Sequence, residues 1–295
     1  MALIGIDLGT TNSLVGVWYE GAVKLIPNAH GEVLTPSVIS IDEREIVIVG
    51  KAAKDRLIKY PDNTVAAFKR RMGTQASCTL GKQKFRPEEL SALILKQLKD
   101  DAESFLGEPI SEAVISVPAY FNDMQRNATK RAAELVGLKV ERLINEPTAA
   151  AIAYGLHDRA DDCHYLILDL GGGTFDVSVL EFFEGVMEVH ASAGDNFLGG
   201  EDFTDVLCKA CLESCGINEK KLSNRDRELI KKTIELAKKE LGSKSEVLIT
   251  ANLSKSKLEW KLTKSDFEKI KIINGPINES NLKNIMKLEN FIFVN

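Results

Sequence analysis

Two stretches of this chain share one pattern: an apolar strand that ends in an aspartate, a glycine-containing turn and a second strand. The first copy runs from Ile4 to Trp18 with Asp7 before its turn, and the second runs from Leu166 to Val179 with Asp169 before a triple-glycine turn. Apolar residues in both copies predict hairpins with a buried face and a polar tip. Because the copies lie about half the chain apart, they predict two similar lobes that face each other.

The residues at the second tip are suited to a nucleotide. Three glycines let the backbone approach a ligand closely and direct N–H groups at an anion. The carboxylates of Asp169 and Asp176 would repel bare phosphate unless a divalent cation lay between them. The tip therefore predicts a Mg-nucleotide site.

Five short motifs follow one another in a characteristic order. They are GIDLGTTNS at Gly5–Ser13, VPAYFND at Val117–Asp123, INEPTAAA at Ile144–Ala151, DLGGGTFDVSVLE at Asp169–Glu181 and AGDNFLGGEDF at Ala193–Phe203. Together they resemble the nucleotide-binding domain of DnaK-type, seventy-kilodalton heat-shock chaperones. The short second segment, with LIPNAHGEVLTPSVIS at Leu25–Ser40 and FKRRMG at Phe68–Gly73, is most similar to the bacterial HscC-like branch.

The resemblance implies an α/β, actin-like ATPase (ribonuclease H-like) two-lobe fold with duplicated mixed sheets. Lobe I is expected over residues 1–162 with an inserted subdomain at about 37–107, and lobe II over 163–295 with one at about 202–270. The family continues with an LVGG-type strand, a further helix, a linker and a peptide-binding domain. We therefore expect an incomplete lobe II, no peptide-binding domain, and a remnant of that strand at Phe291–Val294.

ATP or ADP with Mg is the cofactor that the resemblance implies. The phosphate-binding residues are expected to come from both tips, namely Gly9, Thr10, Thr11 and Asn12 from lobe I and Gly171, Gly172, Gly173 and Thr174 from lobe II. Asp7 and Asp169 are expected to bind Mg through water, because Mg gives up its hydration reluctantly.

The expected catalytic residues are Lys69, Glu146, Asp176 and Thr174. From composition alone, the basic run that contains Lys69 predicts a solvated face, but by resemblance Lys69 reaches the γ-phosphate, where an ammonium orients water and stabilises charge. Glu146 precedes Pro147 at a predicted helix N-terminus, where the macrodipole favours an ionised acid. By resemblance Glu146 is a candidate to hold a Mg-bound or attacking water, and the alternative is an ordinary acid that only stabilises the helix N-terminus. The sequence does not decide whether Glu146 or Asp176 accepts the proton.

A predicted helix from Arg225 to Leu241 carries Glu235, Lys238 and Lys239 on one face, a spacing typical of a surface salt-bridge ladder. The resemblance implies that this face binds adenosine, with Glu235 accepting from the ribose and the lysine stems covering the base. Gly242 stands where the family has a serine, so the hydrogen bond of that serine is not carried over.

Charge and targeting signals bear on location and partners. The net charge of −5 does not suggest nucleic acid, no apolar run reaches membrane-spanning length, and the chain enters its first hairpin without a charged leader, which favours the cytoplasm.

The resemblance implies a J-domain co-chaperone at Arg142, Asn145 and Thr148, and a nucleotide-exchange factor as a further candidate. Pro118 and Arg126 match residues that relay the nucleotide state, and unfolded polypeptide would bind only through the absent domain.

Local patterns predict several other elements. Helices are expected at Pro87–Gly107 and from Asn122 or Asp123 through Val136, and a strand at Ala113–Phe121. Three cysteines recur at helical intervals, which favours a helix face over a zinc site; they are Cys208, Cys211 and Cys215. Three histidines lack ligand spacing and are predicted to be surface or core residues; they are His157, His164 and His190.

Three functional classes remain open. The leading one is the ATPase domain of a chaperone that assists folding through nucleotide-gated peptide binding. A sugar or acetate kinase of the same superfamily shares the two hairpins, although DLGGGTFD and INEPTAAA argue against it, and a fragment too incomplete to hold ATP is the third. Because a P-loop consensus and a GxGxxG fingerprint are absent, the expected reaction is phosphoryl transfer to water.

Overall fold

The computed structural model describes residues 2–156, 163–183, 186–269 and 291–294. We call residues 2–156 lobe I and the remaining described residues lobe II. Both contain helices packed on mixed or antiparallel sheets, so the fold is mixed α/β as the sequence predicts. The predicted lobe boundary at residue 162 lies outside the described residues, as do residues 270–290.

Lobe I is built on one mixed sheet. The strands of lobe I are β1 Leu3–Asp7, β2 Asn12–Tyr19, β3 Ala22–Leu25, β4 Thr35–Pro36, β5 Val38–Ile41, β6 Val47–Val49, β7 Thr64–Ala66, β8 Cys78–Leu80, β9 Gln83–Phe85, β10 Glu112–Val117 and β11 Lys139–Asn145. Its helices are α1 Lys51–Lys54, α2 Pro87–Leu106, α3 Asp123–Glu134 and α4 Glu146–Ala153. The main sheet has the order β11-β10-β1-β2-β3, with β4 paired to β2 and with β10 parallel to both β1 and β11.

One face of this sheet is buried by helices. Alternate residues of β1 and β2, such as Ile4 and Val15, join Leu90 and Ile94 of α2 in the core. The helix α2 starts with Pro87, whose missing N–H has no helical partner to lose, and it ends before a residue in the left-handed region, Gly107 at φ 71°. The predicted helix is thus confirmed.

The chain between β10 and α3 follows its predicted pattern. The strand stops at Val117, before Pro118, and Asn122 then caps α3 by accepting from the N–H of Gln125 at 3.0 Å. The Gln125 side chain accepts from the N–H of Asn122 in return, which completes a capping box. Two smaller sheets, β6-β5-β7 and β8-β9, lie between β4 and α2 in the chain.

Lobe II has a four-stranded sheet and a helical part. Its strands are β12 Cys163–Leu170, β13 Phe175–Phe183, β14 Val186–Asp195, β15 Glu246–Asn252, β16 Lys257–Thr263 and β17 Phe291–Val294, and its helices are α5 Gly200–Ser214, α6 Asn224–Glu240 and α7 Lys264–Lys269. The sheet has the order β14-β13-β12-β17, in which β17 runs parallel to β12. The predicted final strand at Phe291–Val294 is confirmed.

The rest of lobe II packs around its own core. The helices α5 and α6 and the β15-β16 hairpin share one hydrophobic cluster, in which Cys211 and Ile234 are fully buried. The helical interpretation of the three cysteines is confirmed, since Cys208 and Cys211 lie in α5 and Cys215 is its C-cap. Within the described ranges, no helix combines the length and apolarity needed to cross a membrane.

Candidate functional site

The tips of the two predicted hairpins meet between the lobes. The β1-β2 turn and the β12-β13 turn approach so closely that a Cβ on Gly172 would lie 1.8 Å from Oγ1 of Thr11. A Cβ on Gly173 would lie 2.5 Å from Cγ2 of Thr10. Real Cβ atoms do not approach other atoms this closely, so glycine at both positions is what allows the tips to touch. The structure therefore brings together the two groups of predicted phosphate-binding residues, Gly9–Asn12 of lobe I and Gly171–Thr174 of lobe II.

Buried hydroxyl groups hold the tip of lobe I. The Oγ of Ser37 donates to the carbonyl oxygen of Gly9 at 2.8 Å and lies 2.9 Å from the Oγ of Ser13. The Oγ of Ser13 accepts from the N–H of Gly9 at 3.1 Å. The turn is tight, since a Cβ on Gly9 would lie 2.0 Å from the carbonyl oxygen of Asn12.

The main chain at the start of α5 holds the tip of lobe II. The N–H of Gly200 donates to the carbonyl oxygen of Gly171 at 3.0 Å, and the N–H of Glu201 donates to that of Gly172 at 2.8 Å. A Cβ on Gly199 would lie within 2.7 Å of the backbone of the triple-glycine turn. Glycine at position 199, the N-cap of α5, is thus explained by close approach of two backbones.

Acidic side chains lie at the ends of the strands that adjoin both tips. Asp7 is the register partner of Ser116 in the parallel β1-β10 pair, and it accepts from the Ser116 hydroxyl at 2.9 Å. Asp169 and Asp176 lie directly opposite each other in the β12-β13 pair. Burial and, after it, the charge of Glu146 raise the pKa of Asp169 to about 6 and that of Asp176 to about 7.

Asp176 also connects the two lobes. Its Oδ2 accepts from the N–H of Ala119, just after β10, at 3.2 Å. Its other oxygen, Oδ1, is buried and has no hydrogen-bond partner among the described residues. A buried carboxylate oxygen without a partner is unfavourable unless a ligand, an ion or a proton occupies it.

Lys69 occupies the cleft between the lobes. Its Nζ lies 2.9 Å from Oε1 of Glu146, and the residue is 5% exposed. Burial by itself lowers the pKa of Lys69, but Glu146, Asp7 and Asp169 together outweigh burial and hold its pKa above the usual value. Lys69 therefore stays charged. The solvated face predicted from composition is wrong for Lys69, because Phe68 beside it anchors this turn in the lobe I core.

Glu146 is the first residue of α4, and Pro147 follows it, as the sequence predicts. The helix therefore directs its N-terminal end at the cleft. Burial raises the pKa of Glu146, while the Lys69 ammonium opposes the shift and Asp7 adds to it. The Lys69 ammonium thus stabilises the ionised form of Glu146 in a site that also contains other acids.

A cavity of about 750 Å³ extends from the two tips along the lobe I sheet. Eleven predicted site residues line it: Asp7, Gly9, Thr10, Thr11, Asn12, Lys69, Glu146, Asp169, Gly171, Gly172 and Thr174. The other five predicted residues do not; they are Gly173, Asp176, Glu235, Lys238 and Lys239. The cavity volume is within the range of small-molecule sites.

The predicted adenosine-binding face of α6 is engaged in contacts of its own. Lys239 forms an ion pair with Glu235 at 2.7 Å. The Nζ of Lys238 donates to Oγ1 of Thr204 at 2.8 Å and to the carbonyl oxygen of Gly200. Lys238 thus lies against the start of α5, next to the backbone that supports the second tip.

An ion pair that no sequence pattern predicts joins the two lobes. The guanidinium of Arg70 lies 2.6 Å from Oδ2 of Asp202 and also donates to the carbonyl oxygen of Asn196 at 3.1 Å. Arg70 belongs to the basic run and Asp202 to the last of the five motifs, but their partnership spans 132 positions. Only the fold shows that these two residues meet.

The charges and the backbone of this site fit a nucleotide with Mg. The Lys69 ammonium contacts Glu146 and interacts electrostatically with Asp7, Asp169 and Asp176, and the mutual repulsion of these acids contributes to the raised pKa values of Asp169 and Asp176. A divalent cation would offset that repulsion, and two glycine turns offer main-chain N–H groups to phosphate.

The sequence is similar to one protein family throughout most of its length. A family model described as "Hsp70 protein" matches residues 3–79 and 74–277. The chain is 43% identical to "Chaperone protein DnaK" of Thermotoga petrophila and of Thermotoga maritima, and 42% identical to that of Thermotoga neapolitana. Each alignment covers 94% of this chain and 49% of the relative. The chain therefore spans about half the length of the curated relatives it matches.

Proposed function

The chain belongs to the Hsp70 family, and we propose that it binds and hydrolyses ATP as the nucleotide-binding part of a DnaK-type chaperone. We also assign it to the actin-like, ribonuclease H-like ATPase fold that the family implies. The observation that carries the proposal is the meeting of two glycine tips around a buried Lys69, with Asp7 and Asp169 at the base of the tips.

The residues at the tips would hold the phosphates and the metal. Gly9 and Gly171 would shape the two turns, because their own N–H groups donate to the Ser13 hydroxyl and to the Thr174 carbonyl oxygen. Main-chain N–H groups within Thr10–Asn12 and Gly172–Thr174 would bind phosphate oxygens, and Asp7 and Asp169 would hold Mg through water. Bound Mg-ATP supplies the transferable phosphoryl group and a cation that neutralises its charge. The protein then contributes mainly positioning and electrostatic stabilisation.

Three side chains would act on the attacking water. Lys69 is held in place by Glu146, so its ammonium is positioned to orient the water and to stabilise charge. Asp176 is the better proton acceptor of the two acids, because its Oδ1 has no partner in the described chain and its pKa is about 7. Glu146 is engaged with Lys69. Thr174, at the end of the second turn, would contact the same phosphate.

The base and ribose would lie on α6. Glu235, Lys238 and Lys239 are proposed to bind adenosine, which requires the Lys239–Glu235 pair to open or to receive the ribose from one side. Because Lys238 contacts the start of α5, a nucleotide held there would also contact the support of the second tip.

Several wider assignments rest on the family. We propose lobes at 1–162 and 163–295, inserted subdomains at about 37–107 and 202–270, and membership in the HscC-like branch on the Leu25–Ser40 segment. A J-domain co-chaperone, a nucleotide-exchange factor and a cytoplasmic location are proposed as well. Polypeptide binding would belong to the part of the relatives that this chain does not span.

Calorimetry with Mg-ATP tests the proposal. We expect the wild-type chain to bind, Asp169→Ala to lose binding, and Asp100→Ala, which removes an exposed carboxylate of α2, to bind like wild type. Absence of binding by the wild-type chain would contradict the proposal and favour a fragment that does not hold nucleotide.

Single-turnover hydrolysis then tests the chemistry. Lys69→Ala should reduce the rate by about 100- to 1,000-fold, because it removes the charge that stabilises the transferring group. Lys96→Ala, on the exposed side of α2, is the matched control. Full turnover by Lys69→Ala would overturn the role of Lys69, and a phosphorylated sugar or acetate as product would favour a kinase.

A further inference from the structure

Two histidines and a glutamate meet on the lobe II sheet, far from the cleft. His164 on β12 lies directly opposite Glu181 on β13, and its Nε2 is 3.3 Å from Oε1 of that carboxylate. Side chains opposite each other in adjacent strands share a face, so the pair is fixed by strand register. The pair occurs at the end of the sheet away from the nucleotide site.

A β-bulge brings the second histidine to the same carboxylate. The register between β13 and β14 shifts by one residue next to Leu180, so that His190 has no partner opposite it in the ladder. Bulges change the direction of the side chain that they carry. Here the Nε2 of His190 is within hydrogen-bond distance of Oε2 of Glu181.

The three potential ligand atoms form a compact set. They all lie within 4.8 Å of one another, and each residue offers one atom. Zn–N bonds of 2.0–2.1 Å and tetrahedral angles would place neighbouring ligand atoms about 3.3 Å apart. Small side-chain rotations would therefore be enough to close the set around an ion.

We propose that His164, Glu181 and His190 form a binding site for a divalent transition-metal ion, for which Zn²⁺ is the probe. Two imidazoles and one carboxylate suit Zn²⁺ and its neighbours, whereas Mg²⁺ and Ca²⁺ prefer oxygen ligands alone. The two histidine side chains are 65% and 44% exposed, so an ion can enter from solution and keep water as a fourth ligand.

The site is independent of the proposed nucleotide site. His164 precedes Asp169 by five positions on β12, a separation of about 17 Å along a strand. An ion bound there would connect β12, β13 and β14. Because it binds the folded sheet, it would raise the thermal stability of the chain.

Cysteines are the main competing ligands for zinc. Burial raises the pKa of Cys208 and of Cys211 to about 12, so both thiols stay protonated at neutral pH. Protonated thiols are poor metal ligands. Co²⁺ distinguishes the two kinds of site, since thiolate ligands produce an intense charge-transfer absorption that histidine and carboxylate ligands do not.

The experiment is zinc calorimetry and thermal melting on an untagged, EDTA-treated chain. We expect one equivalent of Zn²⁺ to bind and to raise the melting temperature, and any effect of MgCl₂ to be the same in wild type and in the two histidine variants, because Mg²⁺ would act at Asp7 and Asp169. H164A and H190A should each weaken zinc binding at least about tenfold, and E181Q should weaken it less. H30A, which removes an exposed histidine of lobe I, should bind like wild type.

Three results would overturn the proposal. The first is the absence of a zinc effect on wild type, which would leave an ordinary surface cluster of hydrogen bonds. The second is wild-type zinc affinity in both histidine variants. The third is a thiolate absorption band with Co²⁺. The histidine variants change exposed side chains and E181Q a partly buried one, and circular dichroism before zinc addition checks that each variant is folded.

Discussion

The two hairpin tips have the same sequence pattern but different supports. The tip of lobe I is held at Gly9 by side chains, because the hydroxyls of Ser13 and Ser37 bind both backbone groups of Gly9, and one main-chain bond from the Ser37 N–H to the Thr11 carbonyl oxygen adds to this support. The tip of lobe II is held by main chain, because the first N–H groups of α5 donate to the carbonyl oxygens of Gly171 and Gly172. A repeated motif therefore specifies strand, turn and strand, while its anchorage comes from elsewhere in the chain.

The difference determines where each tip is vulnerable to substitution. A serine hydroxyl can be removed without changing the backbone, so the lobe I tip can be loosened by one mild substitution. The donors at the lobe II tip belong to the backbone and have no side chain to delete. That tip is vulnerable instead at its glycines, where an added methyl group meets the opposite tip.

Among substitutions that test the support of the tips, Gly172→Ala should therefore produce the largest effect. The new methyl group would overlap Oγ1 of Thr11, so the tips must separate, and we expect Mg-ATP affinity to fall about ten- to a hundredfold. The measurement is calorimetry on the variant. Gly5→Ala is the control, because its Cβ would have only the carbonyl oxygen of Gly16 nearby, at 3.9 Å.

A double-mutant cycle locates the cause of that loss. In a Thr11→Ala background the overlapping hydroxyl is gone, so Gly172→Ala should weaken Mg-ATP binding less than it does in wild type. Additive effects of the two substitutions would show that Gly172 acts within its own turn. The loss of affinity would then come from a changed shape of that turn and not from the approach of the two tips.

The pH dependence of stability should come mainly from the lobe II tip. The folded-state pKa values of Asp169 and Asp176, about 6 and about 7, lie above the ordinary aspartate value near 3.9. The folded chain thus binds these protons more tightly than the unfolded chain. Without Mg, the free energy of unfolding should therefore fall as the pH rises from about 4 to about 7. Each of the two groups should change the unfolding equilibrium constant by less than tenfold per pH unit.

Melting curves across that pH range measure the effect. Asp176→Asn should flatten the upper part of the slope, because the titrating group is gone. The difference between variant and wild type removes the contribution of the other acids. Equal slopes for the two proteins would show that Asp176 does not titrate in this range.

Local patterns were enough to predict the elements that form the site. Both hairpins follow from apolar strands and glycine turns, α2 from Pro87 and Gly107, and α3 from the Asn122 cap. Each of these signals lies within a few residues of the structure it specifies. The sequence could therefore show what each tip is made of.

Partners that are distant in the chain could not be predicted. The Ser13–Ser37 pair spans 24 positions, and Asp176 reaches Ala119 across 57. The periodic spacing of apolar residues along the sequence does not predict such distant contacts. The burial of Lys69 was missed from composition for the same reason, because the packing that removes it from solvent is decided by the lobe I core.

The smallest effect should come from the side-chain support of the lobe I tip. Ser37→Ala removes a buried hydroxyl, 2% exposed as a residue, that donates to the Gly9 carbonyl oxygen and contacts the Ser13 hydroxyl. Leaving that carbonyl unpaired should lower the free energy of unfolding by about 1–3 kcal/mol. Mg-ATP affinity should fall less than in Gly172→Ala, because the tip keeps its shape and loses only its fixation.

Urea unfolding of this variant measures the contribution of the hydroxyl support directly. Ser104→Ala is the matched control, since its hydroxyl donates to the Asp100 carbonyl oxygen on the exposed side of α2, and its free energy of unfolding should stay within about 0.5 kcal/mol of wild type. If Ser37→Ala were as stable as this control, the Ser37 hydroxyl would not support the lobe I tip. Its fixation would then rest on the Ser13 hydroxyl and on the main-chain bond from the Ser37 N–H to the Thr11 carbonyl oxygen.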